Sequence, residues 1–142
     1  MWKTHYSLCI TSWIFALPIA YILYKLFNHD TTPTFEYVLM GLLCINIAFS
    51  LVFWYSPVQD SAIHIYDAFF AKLSLVTFVF YFFSQANPSV DVIVFMIIIT
   101  GIVASAHFSN YFSEVEWCCN KHVQSHGVMH MFCGLGCVYA LT

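Results

Sequence analysis

Five apolar runs divide the sequence, each close to the ~20 residues an α-helix needs to cross a bilayer, with short breaks rich in Pro, Asp, Asn and Ser between them. They extend over about Ser7 to Phe27, Phe35 to Tyr55, Ala62 to Phe83, Val90 to Phe108 and His122 to Leu141. "NHDTTPT", "SPVQDS" and "SQANPSVD" end the first three runs, and the wetter "SNYFSEVEWCCNKHVQS" separates the fourth from the fifth. Pro18 is expected to kink the first helix, and Pro88 to stop or start one. Lipid offers no water to unpaired backbone groups, so only helices and closed barrels span it. No alternating apolar and polar strands are present, which leaves helices. The expected fold is all-α: an integral membrane helical bundle of about five transmembrane helices, multi-pass, forming a single transmembrane domain over residues 1–142.

Charge and cysteine usage narrow the function. The chain is 61% hydrophobic and only 8% charged, too little charge to cover a water-facing surface of this size. With a net charge of −3 it has no basic patch for nucleic acid. The opening stretch, "MWKTHYSLCITSWIFALPIAYILYK", is similar to a signal peptide in its early lysine and apolar run. The run continues past Leu23 with no small-x-small cleavage site, so it reads as a retained first helix. The six cysteines include no CxxC pair, and no disulfide framework is expected. The four lysines, Lys3, Lys25, Lys72 and Lys121, are divided between the two faces and the interior, and give no orientation.

Ionisable groups inside a span are costly and mark function. His64 and Asp67 lie one turn apart on the third run, and Ala71 and Ser74 continue their stripe. On the fifth run His122, His126 and His130 share a face, continued by Gly134 and Cys137. Asn46, Ser50 and Trp54 repeat every four residues on the second, and His107 ends the fourth. At a rise of ~1.5 Å per residue, all these histidines and Asp67 fall within about three turns of the same membrane face.

Three chemistries use such a group. Imidazoles with a carboxylate bind zinc, and an open fourth position lets a metal-bound water attack an amide or ester. Two histidines on different helices ligate a haem iron. Histidines beside Asp67 form a proton relay. Plainer readings stand beside them. His122, next to Lys121, and His107 suit polar tips in the headgroups. Trp54 beside Tyr55 suits an aromatic belt, and Ser50 can bond its own backbone. Lys72 lies on a different face from Asp67, to snorkel or pair internally.

"SHGVMHMFCGLG" resembles the last-helix HxxxH signature of the superfamily of alkaline ceramidases, adiponectin/progestin receptors and hemolysin-III-like proteins, with Met129 in place of the usual Trp. "SLVFW", Ser50 to Trp54, resembles that superfamily's S-x-x-x-H, and "YDAFFAKLS", Tyr66 to Ser74, its Asp-bearing third helix. The resemblance implies a zinc site near one membrane surface, and the members with known chemistry are mostly lipid amidases. By position, His126 and His130 would be zinc ligands. Asp67 would hold or activate the water, and Ser50 would assist as an oxyanion or orienting group. Trp54 stands where the third histidine belongs, and His64 is the expected replacement. The superfamily has seven spans against five here, a difference that preserves parity. The same stretch also resembles the "NGIRHLxxDxG" helix of succinate dehydrogenase membrane anchors, which bind haem. Here Met129 replaces the Arg and the trailing Asp is absent.

The expectation is therefore a zinc-dependent membrane hydrolase acting on a lipid amide or ester that enters from the bilayer, with membrane lipids around it. One alternative is a haem b-binding anchor for electron transfer, using two of His64, His107, His126 and His130. The other is a non-enzymatic, receptor-like protein, which the Trp54 substitution favours.

Overall fold

The computed structural model describes residues 4–28, 34–85 and 90–142. Every regular element among them is helical. α1 spans Tyr6–Phe27, α2 Thr34–Tyr55, α3 Ala62–Gln85, α4 Val90–Val115 and α5 Asn120–Leu141. The "NHDTTPT" break, apart from its ends, and the break at Pro88 lie outside the described residues, as does Lys3.

Length and apolarity qualify four helices to cross a membrane: Tyr6–Phe27, Thr34–Tyr55, Ala62–Gln85 and Asp91–Val115. The fifth has the same 22 residues as α2 but is less apolar. Its first turns carry His122, Gln124, Ser125, His126 and His130. Large apolar side chains are exposed on all five helices, among them Val76, Phe80, Ile97, Val103, Met131 and Leu135.

Pro18 acts one turn before itself. Its missing N–H frees the carbonyl four residues upstream, and its ring crowds that turn. The α1 helix accordingly tightens into a 3-10 turn at Trp13–Phe15. α4 runs two turns beyond the expected end at Phe108. Residues 109–115 hold no Gly or Pro, so nothing stops the helix there. The connector shrinks to a tight turn at residues 116–119, where Cys118 takes the left-handed conformation with φ 58°. The Cys119 Sγ then caps α5 by accepting the His122 N–H at 3.4 Å.

α5 lies at the centre: it packs closely against α1, α3 and α4, and its His126 ring meets Trp54 of α2 at 4.8 Å. Small residues let it approach closely. A Cβ at Gly134 would come within 2.7 Å of Ile14, and one at Gly101 of α4 within 2.7 Å of Phe132. α2 packs on α1 and α3. α3 and α4 are held apart: no Cα of one comes within 8 Å of a Cα of the other among the described residues. Their rings meet only towards one end, where Phe82 stacks on Phe95 at 3.9 Å. The space between them, backed by α5, forms a cavity.

At that same end lies a charge cluster. Lys25 Nζ donates to Glu36 Oε1 at 2.7 Å, and the Tyr81 hydroxyl donates to the same oxygen at 2.5 Å. Glu36 is fully buried, and Lys25 also reaches the last-turn carbonyl of Leu141 at 3.5 Å. The cluster ties α1, α2, α3 and α5 together.

Candidate functional site

The cavity has a volume of about 450 Å³. Its two ends differ because the helices alternate in direction. The end lined by the C-termini of α2 and α4 and the N-termini of α3 and α5 presents Trp54, His64, Asp67, Trp117, His122 and His126. The other end presents Leu43, Phe78, Phe95, Ile99 and Cys137. The polar stripes expected from spacing converge here: Asn46, Ser50 and Trp54 from α2, Asp67 and Ser74 from α3, and His126 and His130 from α5. Gly134 faces α1 instead. His107 is exposed, with its ring 6.0 Å from that of Phe108, and does not line the cavity.

Hydrogen bonds hold the imidazoles. Thr11 Oγ1 lies 3.2 Å from the Leu8 carbonyl, to which it can donate, and 3.0 Å from His130 Nδ1. When Thr11 donates to Leu8, His130 carries its proton on Nδ1 and keeps a free lone pair on Nε2, as a metal-ligating histidine does. His126 Nδ1 pairs with Ser109 Oγ at 3.0 Å, which permits the same state. The two rings are 4.8 Å apart, edge to face.

His64 and His122 are set the other way. Each accepts a backbone N–H on Nδ1, from Asp60 and Cys118 respectively, both at 3.1 Å. Their proton then sits on Nε2, which makes that nitrogen a donor and not a ligand. His64 is stacked on Phe53 at 4.8 Å and packs against Trp117 at 5.3 Å. Its expected role as third ligand does not fit this arrangement. Among the described residues no three His, Cys, Asp or Glu side chains converge on a point where a metal ion could sit. Trp54 occupies the ground beside the pair, 4.8 Å from His126 and 6.0 Å from His122. It is 1% exposed, a cavity wall and not part of an interfacial belt. The residues present therefore do not fit a three-histidine zinc centre. For haem, His126 and His130 lie on one helix a turn apart and cannot clamp an iron from opposite sides, while His64 presents N–H.

Ser50 and Asp67 both line the cavity. Ser12 Oγ lies 2.7 Å from the Leu8 carbonyl, and the Ser50 and Ser12 hydroxyls pair at 2.8 Å. Ser50 thus bonds another helix. Asp67 is 8% exposed and has no hydrogen-bonded or ionic partner among the described residues. Lys72 is exposed and also lines the cavity. His122, expected among headgroups, is buried at 3% exposure.

Sequence reasoning missed Thr11, Ser109 and Trp117. The first two bond the imidazoles from other helices, and Trp117 lies in the stretch read as a wet connector. It also missed Glu36, although an acid just inside a span and a lysine just before the preceding break were a legible pair. The sequence matches no protein-family model, no curated protein and no solved structure.

Proposed function

We propose that the chain is an integral, multi-pass membrane protein of five spans that holds an acyl lipid in the cavity between α3 and α4. It acts as a receptor-like binding protein. The observation that carries this is the cavity's order: polar rings and a carboxyl at one end, apolar side chains at the other, and a sideways gap between two helices. α5 suits a fifth span because its histidines turn inward while Val128, Met131 and Leu135 face out. A polar residue in lipid is tolerated when it lines an interior space. The polar group of the lipid lies at the end that presents Trp54, His64, Asp67, Trp117 and His122, and its chain lies against Phe78, Phe95 and Cys137.

The test is mass spectrometry of lipid extracted from detergent-purified protein. An acyl lipid should be enriched in the wild type and lost in Ala71→Trp, which fills the cavity from α3. Identical extracts from both proteins overturn the reading.

The close His126–His130 pair, with rings 4.8 Å apart, favours a second reading, a zinc-dependent hydrolase of a lipid amide or ester with His126 and His130 as ligands. Elemental analysis separates the two. On the binding reading, wild-type protein purifies without zinc. Trp54→His, which supplies the missing imidazole of the pattern the sequence resembles, should gain it. Stoichiometric zinc in the wild type, lost in His126→Ala/His130→Ala, replaces the binding reading with the hydrolase one.

A further inference from the structure

The polar end of the cavity gathers N–H donors that have no acceptor among the described residues. Backbone bonds to Nδ1 place the protons of His64 and His122 on Nε2, and neither Nε2–H has an acceptor among the described residues. The indole N–H groups of Trp54 and Trp117 are buried, also without an acceptor. All four rings line the cavity. Trp117 holds them together, 5.0 Å from His122, 5.3 Å from His64 and 6.5 Å from Trp54. A buried, unpaired N–H is costly, and buried polar groups are normally satisfied. Two such indole donors, beside two imidazole N–H groups that face the same cavity, describe a site for a ligand made of acceptors.

The surfaces beyond the cluster define the rest of that ligand. One helical turn past His64, ~4.5 Å along the axis, the unpartnered carboxyl of Asp67 accepts from a donor. A bare anion beside it would be repelled; an anion with an adjoining amine or hydroxyl would be held at both points. Lys72 adds a positive charge to the wall. Deeper still, the lining is apolar. At about 450 Å³ the cavity is within the ~300–1,000 Å³ range of small-molecule sites, which suits a single chain.

The geometry points to a single-chain lipid phosphate with an amine or hydroxyl next to the phosphate. Its phosphate oxygens take the N–H groups of Trp54, Trp117, His64 and His122, its amine or hydroxyl meets Asp67, and its chain fills the apolar end. A phosphate monoester suits the cluster because its terminal oxygens accept from several donors at once. A neutral carbonyl offers one oxygen. This assignment rests on the lipid-binding reading above.

The test is equilibrium binding to the full chain in detergent. The probes are lysophosphatidate and sphingosine phosphate, each paired with its unphosphorylated parent, monoacylglycerol or sphingosine. Each phosphate should bind about tenfold or more tightly than its parent, the scale of one or two bonds to a charged acceptor. Trp117→Phe keeps the ring and removes one N–H, and should cut that preference several-fold; Trp54→Phe should do the same. Asp67→Asn should weaken sphingosine phosphate more than lysophosphatidate, because only the former carries an amine. Parents that bind as well as phosphates overturn the phosphate assignment and leave the lipid-binding reading standing. No binding of any of the four lipids, together with no enriched lipid in the extract, overturns both.

Discussion

Single hydrogen bonds decide what the imidazoles can do. Thr11 holds His130 Nδ1 from another helix at 3.0 Å. Thr11→Val keeps the shape and leaves that buried ring nitrogen without its partner. It should lower stability by about 1–3 kcal/mol, read from thermal unfolding in detergent, with Thr11→Ser restoring most of it. Cys118 lies outside the spans, in a left-handed turn. Burial, and then the neighbouring Cys119, push its thiol above the ordinary value. A raised thiol is less ionised at any given pH. Alkylation of Cys118 should therefore be slower than that of free cysteine at pH 8, and its rate should rise with a midpoint above the ~8.5 of an unperturbed thiol. Peptide mass spectrometry against a Cys118→Ser control measures it. At this scale the sequence showed which side chains share a face, because i, i+4 spacing is local. It did not show the partners of the imidazoles, because Thr11 and Ser109 belong to other turns of the fold.

Helices obey the same division. The ends of α2 and α3 were legible to within two residues, since Pro57 and Asp60 follow one and precede the other. α4 ran long because its polar final turns hold no helix breaker, and polarity alone had been read as loop. The tie between α1 and α2 was not legible as a contact, although both its charges were visible. Its energetics give a clear expectation. Lys25→Met leaves Glu36 buried with Tyr81 as its remaining described partner, and should cost about 3–5 kcal/mol. Lys25→Met/Glu36→Leu removes both charges, and should recover most of that loss. Unfolding of the three proteins in mixed micelles separates the outcomes. A Lys25→Met protein as stable as the wild type would show the pair to be idle.

The bundle as a whole is asymmetric. α5 packs on α1, α3 and α4 and meets α2 through Trp54, while α3 and α4 leave a gap in front of it. Sequence patterning cannot show such a gap, because apolar faces turned to lipid and to a cavity have the same composition. It becomes visible only when Phe82 and Phe95 meet at one end and nothing joins the helices at the other. The proposed placement in a bilayer gives that gap a thermodynamic meaning. The solvent that fills and empties the cavity is the hydrocarbon itself, so occupancy tracks the mole fraction of ligand in the leaflet and not its concentration in water. In vesicles, diluting the sample with buffer at constant lipid composition should leave occupancy unchanged. Diluting the ligand with inert lipid should lower it in proportion at sub-saturating occupancy. A chain built this way reads the composition of its membrane, and is indifferent to the volume of the compartment beside it.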